Sequence, residues 1–220
     1  MGRVLACVSP KPRARSVAKS QREVQIVAEF VTSAAGAADF PRDRSPEVAL
    51  VGRSNVGKSS LINALVRQPL ARTSASPGKT RLANIYRVRR GSMPACYLVD
   101  LPGYGYARAA RPGEGETEIS QVTDAFFGRP GQRAALLLVD SRHPGLSSDL
   151  NAWQWLASQS CARAVVATKV DKLTQAERVR HVREMENVFE MPVALVSART
   201  GEGLDELWKM IASLPNQTAA

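Results

Sequence analysis

Residues 52–59, Gly52-Arg53-Ser54-Asn55-Val56-Gly57-Lys58-Ser59, fit the pattern G-x-x-x-x-G-K-[ST]. Glycines at this spacing let successive backbone N–H groups wrap an anion, and a helix starting behind them adds the positive end of its dipole. In such a loop Lys58 reaches the β- and γ-phosphates and the Ser59 hydroxyl ligates Mg²⁺. The expected cradle for a nucleoside triphosphate is therefore Gly52, Arg53, Ser54, Asn55, Val56, Gly57, Lys58, Ser59 and Ser60.

Three further groups follow in chain order. Asp100-Leu101-Pro102-Gly103 closes an apolar run, so the Asp100 carboxylate stands at a strand end, where it can meet Mg²⁺ through a water. Gly103 offers its N–H to the γ-phosphate. Thr168-Lys169-Val170-Asp171 reads as a guanine-binding T/N-K-x-D element, because a carboxylate accepts from both N1–H and the exocyclic amine of guanine, a pair that adenine lacks. Ser197-Ala198 supplies the last expected contact, the Ala198 N–H toward the guanine O6. Between the first helix and the next strand, Ser76-Pro77-Gly78-Lys79-Thr80 puts a hydroxyl, Thr80, where it can complete the Mg²⁺ shell and follow the γ-phosphate as a switch, with Gly78 alongside. Alone, the Asp-x-x-Gly is an ordinary strand-ending turn and the Lys-Asp pair an ordinary surface pair; their order behind the glycine loop gives them weight.

The elements that must hold these residues are legible in apolar patterning. Strands are expected over 23–31, 47–51, 83–89, 95–101, 133–140, 164–168 and 192–196, most of them short apolar runs ended by turn residues. A helix over 58–67 carries Leu61, Ile62 and Leu65 at helical spacing. Thr174 with Glu177 forms a capping box ahead of a stripe of Val179, Val182, Met185 and Phe189, and Leu204, Leu207, Trp208 and Ile211 mark a last amphipathic helix. Trp153 and Trp155 read as packing residues. Strands alternating with helices imply a mostly parallel sheet covered on both faces, a three-layer α/β/α fold with an extra N-terminal strand, and ligands at the strand C-terminal ends.

Lys plus Arg number 30 against 20 Asp plus Glu, a net charge of +10 that makes an anionic partner plausible without choosing one. Residues 1–22 hold Arg3, Lys11, Arg13, Arg15, Lys19 and Arg22 and no acid, the composition of a disordered basic arm or a solvated tail. The apolar run from Val4 to Val8 is too short for a secretory signal, whereas an organelle transit peptide shares this composition and stays open for a eukaryotic source. Cys7, Cys96 and Cys161, odd in number and far apart, make neither a disulfide framework nor a zinc signature. No apolar run approaches the length of a membrane span. A cytoplasmic location follows as the default.

With these residues assembled, the sequence resembles the EngB family of ribosome-biogenesis GTP-binding proteins (YihA or YsxC type), within the translation-factor-like P-loop GTPases. The blocks Ala28-Glu29-Phe30-Val31, GRSNVGKSSLIN (52–63), 76–80, DLPGYGYA (100–107), VDSRHP (139–144) and 168–171 stand in family order. The resemblance implies a Ras-like GTPase domain over 23–214, between the basic arm of 1–22 and a short flexible tail of 215–220. It further implies a monomeric, slow Mg²⁺-dependent GTPase that binds GTP and GDP, with Lys58, Thr80 and Gly103 serving hydrolysis. Its expected partner is the large (50S) ribosomal subunit or its precursor, through rRNA, and the family's link to cell division and septation comes with it. Asn55 matches the position that helps hold K⁺ in potassium-dependent relatives; a loop-capping side chain is its plainer role.

Departures from the family pattern fall at Arg108, where many members have Lys, and over 109–115, Gly/Pro-rich where a charged helical stretch is expected. Thr168 replaces the Asn usual in GTPases. Tyr104 stands where Ras-type GTPases keep the Gln that orients the attacking water, so slow intrinsic hydrolysis is expected. Two other classes remain to be weighed: an ATP-using kinase or ATPase, which Thr168 to Asp171 disfavours, and an RNA-binding module with a degenerate site, which the intact Lys58, Ser59, Thr80 and Asp100 disfavour.

Overall fold

A computed structural model describes residues 24–72, 82–104 and 114–217, those of 114–120 by backbone alone. The arm of 1–22, Gly78 and Thr80, and Arg108 lie outside the described residues.

Among the described residues seven strands form one sheet: β1 (Ile26–Ala34), β2 (Glu47–Gly52), β3 (Ala83–Arg90), β4 (Cys96–Asp100), β5 (Arg133–Asp140), β6 (Ala162–Thr168) and β7 (Val193–Leu195). Their spatial order is β1-β3-β4-β2-β5-β6-β7. Only β3 runs against the rest, antiparallel to both β1 and β4, while β4, β2, β5, β6 and β7 pair in parallel. Five helices, α1 (Lys58–Val66), α2 (Glu114–Phe127), α3 (Ser147–Ala157), α4 (Gln175–Phe189) and α5 (Leu204–Ser213), complete the expected three-layer α/β/α architecture.

The central strands are near-continuous apolar runs because both of their faces are covered. Val48, Leu50, Leu98, Leu136 and Val166 meet Leu61, Ile62 and Leu65 of α1 and Leu207, Trp208 and Ile211 of α5. Their sequence neighbours, Ala49, Val99, Leu137 and Val165 among them, turn to the other face, where Phe126 of α2, Leu156 of α3 and Met185 and Phe189 of α4 lie. Trp155 packs edge-on against Phe127 and Trp153 against Phe189, the packing role expected of both. The Trp208 indole N–H donates to the Leu65 carbonyl at 3.2 Å and so fixes α5 on the end of α1.

Where the chain differs from its sequence reading, the reasons are local. The first strand lies at 26–34 rather than 23–31, and an irregularity between Phe30 and Thr32 breaks its register with β3. The capping box of α4 is present, with the Thr174 hydroxyl accepting from the Glu177 N–H and the Glu177 carboxylate accepting from the Thr174 N–H. Val179, however, is 51% exposed: apolar contact of α4 with the sheet begins only at Val182. The stretch of 109–115 ends inside α2, which takes in Glu114 and Gly115. The last turn, Leu214–Asn216, buries Leu214 and Pro215 and so runs past the boundary expected at 214. Among the described residues no helix is long and apolar enough to cross a membrane.

Candidate nucleotide site

Parallel pairing sets Leu50 beside Asp100, Gly52 beside Leu138 and Asp140 beside Thr168, so three strands deliver polar side chains, and β2 the loop, to one edge of the sheet. The loop from Gly52 to Lys58 begins where β2 ends. A Cβ on Gly52 would lie 2.8 Å from the Leu138 carbonyl oxygen and 2.9 Å from a Val56 methyl, so only glycine lets the loop leave the strand here. Asn55 (φ 63) and Gly57 (φ 112) take left-handed conformations that curl the loop back into α1.

Lys58 is 9% exposed, with its ammonium donating to the carbonyls of Gly52 at 3.0 Å and Arg53 at 3.3 Å. Burial lowers its pKa, opposed by the nearby charge of Asp100. An ammonium in this position, with a donor left over and little water, favours an anion. The Ser59 hydroxyl donates to Asp100 Oδ2 at 2.7 Å, while Asp100 Oδ1 is buried without a hydrogen-bond partner among the described residues. Burial raises the Asp100 pKa, against the opposing effects of Lys58 and Ser59. A buried, half-satisfied carboxylate beside a serine hydroxyl suits a hard cation with oxygen ligands, and the donor set fits Mg²⁺.

Gly103 lies against the same loop: a Cβ there would fall 2.8 to 2.9 Å from Ser54 backbone and hydroxyl atoms. The Ser54 N–H donates to the Tyr104 carbonyl at 3.2 Å, and Arg53 and Tyr104 form a parallel bridge. The Tyr104 hydroxyl donates to Asp149 Oδ1 of α3 at 2.8 Å, and burial followed by the Asp149 charge pushes its pKa up. Asp149 is 2% exposed, and its pKa is raised by burial despite that hydrogen bond and the charge of Arg53.

On the other side of the loop the Thr168 hydroxyl is shared between the Val56 carbonyl at 2.8 Å and the Val139 carbonyl at 3.1 Å, which ties β6 to both β5 and the loop. Lys169, left-handed at φ 61, donates to the Asn55 carbonyl at 2.7 Å and to Asp140 Oδ2 at 2.8 Å. Asp171 Oδ1 accepts from the fully buried Ser197 hydroxyl at 2.7 Å, and its Oδ2 is buried with no hydrogen-bond partner among the described residues. Gly57, Ser60, Thr168, Lys169, Asp171 and Ala198 surround a cavity of about 270 Å³, walled also by Leu61 and Val196 and rimmed by Lys172 and Arg199.

The expected residues thus converge, Gly78 and Thr80 excepted as lying outside the described residues. Asn55 is exposed, and no hydrogen bond of its side-chain amide is seen among the described residues. Asp140, Asp149 and Arg199 join the site although none of the motifs marks them. A strand-ending Asp two positions before an Arg is the one local signal, at Asp140, that could have drawn notice.

Residues 47–196 match the family model described as 50S ribosome-binding GTPase. A protein of Pelotomaculum thermopropionicum described as probable GTP-binding protein EngB is 44% identical over 190 residues, spanning 84% of this chain and 93% of its own length. Among solved structures, an Era variant of Aquifex aeolicus bound to GDP·AlF4⁻ matches with a TM-score of 0.64 at 21% identity, over 81% of this chain and 62% of its own. Era in complex with MgGDPNP and nucleotides 1506–1542 of 16S ribosomal RNA matches with a TM-score of 0.63 at 23% identity, over 78% and 57%. At these identities the two structures establish the fold.

Burial alone would raise the Asp140 carboxyl, but hydrogen bonds from Arg142 and Lys169 outweigh it and hold the pKa well below the usual carboxylate range. A depressed folded-state pKa contributes stability that is complete above the unfolded value of about 4 and is lost as pH falls through the folded value. Asp140→Asn is therefore expected to be less stable than the native chain at neutral pH, with the gap closing in acid. Urea midpoints measured from pH 7 down to pH 2 check this; a gap that stays constant would contradict it.

Proposed function

The chain belongs to the EngB family of GTP-binding proteins, and from that premise we propose that it is a guanine-nucleotide switch acting in assembly of the large ribosomal subunit. The observation that carries the nucleotide part is Asp171: one oxygen is held by Ser197, and the other is buried at the wall of a base-sized cavity without a hydrogen bond among the described residues, faced at 4.0 Å by the exposed guanidinium of Arg199. Guanine's N1–H and exocyclic amine are the donors such a carboxylate lacks, and leaving it unfilled with adenine costs affinity.

In this reading the backbone of Gly52 to Ser60 wraps the phosphates and Lys58 turns its ammonium from loop carbonyls to the β- and γ-phosphates. Ser59 and Thr80 would hold Mg²⁺ directly and Asp100 through a water; when bound, the ion neutralises charge on the β- and γ-oxygens. Gly103 presents its N–H to the γ-phosphate, and Gly78 belongs to the nucleotide-binding set with Thr80. Thr168, Lys169, Asp171, Ser197 and Ala198 form the base site. Tyr104, with its hydroxyl committed to Asp149, leaves no side-chain amide to orient water, and the Asn55 amide is free to take K⁺.

Residues 1–22 hold six basic residues and no acid, and Arg108 and Arg111 follow the DLPGYGYA block in the sequence. Basic side chains suit contacts to rRNA phosphates, and such contacts are salt-sensitive. We place the protein in the cytoplasm as a monomer, with a part in cell division and septation as in its family.

Without an activator, GTP turnover in K⁺ is expected well below one per second (order of magnitude for a site without its water-positioning residue) and slower still in Na⁺. A turnover of several per second would contradict the part given to Tyr104, and equal rates in the two ions that given to Asn55. Sedimentation with purified 50S subunits at matched salt, with a GTP analogue, GDP or no nucleotide, tests the function itself. The GTP-analogue form is expected to co-sediment preferentially; no binding in any state would overturn the ribosomal assignment.

A further inference from the structure

Asp140 ends β5 with 8% of its surface exposed and has both carboxylate oxygens saturated. Oδ1 accepts from the Arg142 backbone N–H at 3.1 Å and from Arg142 Nε at 2.9 Å; Oδ2 accepts from Arg142 Nη2 at 2.7 Å and from Lys169 Nζ at 2.8 Å. The two-point guanidinium contact fixes the plane of the carboxylate, which a single ammonium contact would not do. Lys169 is the member of this group that reaches the cavity.

Three features show how closely that lysine is held. Its backbone is left-handed, a conformation that an L residue keeps only when its surroundings over-determine it. Its Nζ bridges Asp140 and the Asn55 carbonyl of the phosphate loop. Its stem passes over the same loop, with Cε 3.9 Å from where a Cβ on Gly57 would stand. A free lysine side chain samples many rotamers, and freezing it on binding weakens a ligand; one frozen beforehand carries no such cost.

We infer that Asp140 is a positioning residue for base recognition: with Arg142 behind it, its carboxylate stretches Lys169 across the phosphate loop so that the aliphatic stem stands as a ready-made wall of the base cavity. Asn55, bonded to the same ammonium, ties that wall to the phosphate end of the site. The inference rests on the reading of the cavity as the guanine site, and it predicts that Asp140 acts on the nucleotide only through Lys169.

A double-mutant cycle tests it, with GDP affinity of the full chain measured by calorimetry at pH 7.5. Asp140→Asn is expected to weaken GDP by about ten-fold in the native background and by no more than about two-fold in the Lys169→Met background. A residue with a merely structural role would weaken GDP by the same factor in both backgrounds, and that result, or no loss in the native background, overturns the inference. Arg142→Met, whose guanidinium is partly exposed, repeats the test should Asp140→Asn not fold: about three-fold weakening in the native background, none beside Lys169→Met. If Lys169→Met alone leaves GDP binding intact, the assignment of the cavity to the base fails as well, which separates the two failures.

Discussion

Four parallel strands, β4, β2, β5 and β6, lie in fixed register, Asp100 level with Leu50 and Leu136 and Asp140 level with Thr168 further along, and the site depends on that register. Because both faces of these strands are covered, their interiors hold almost nothing polar, and the first polar side chains appear at the ends: Asp100, Asp140 and Thr168. Pairing of Leu50 with Asp100 and of Asp140 with Thr168 then brings those side chains together around the loop that leaves β2. A slip of one residue in any of these pairs would turn a carboxylate into the core, where an unpaired charge is costly.

The loop itself is held by its carbonyls. Gly52 and Arg53 accept from Lys58, Asn55 from Lys169, Val56 from Thr168 and Gly57 from the Leu61 N–H of α1. Carbonyls engaged by protein donors in this way set the conformation of the loop whatever it binds, those of Asn55, Val56 and Gly57 without help from Lys58. Donors come from the base side through Thr168 and Lys169, and an acceptor, the Tyr104 carbonyl, from the Asp100 side. One backbone segment thus answers to both halves of the site.

Much of this was legible because apolar burial and short glycine motifs are local signals. The central strands could be read almost to the residue, and the order of Gly52–Ser59, Asp100–Gly103, Thr168–Asp171 and Ser197–Ala198 already fixed which strand ends mattered. Less legible were features set by distant partners. Asp149 reads as an unremarkable helical acid until the Tyr104 hydroxyl is found on it, and Asp140 as a turn former until Arg142 and Lys169 close on it. Val179 keeps the helical spacing of its stripe, yet spacing cannot say where a helix leaves its sheet. The displacement of β1 has a similar origin, since pairing with β3 and not β-propensity sets its ends.

The central claim is that the Asp171 oxygen left without a hydrogen bond reads guanine. Xanthine carries a carbonyl where guanine has its exocyclic amine, so an amide in place of the carboxylate can donate where the base now accepts. Binding of GDP and of xanthosine diphosphate to Asp171→Asn is the direct measurement. The account predicts that GDP affinity falls by about a hundred-fold or more while xanthosine diphosphate becomes the tighter ligand. Asp171→Asn that still binds GDP as the native chain does would contradict it.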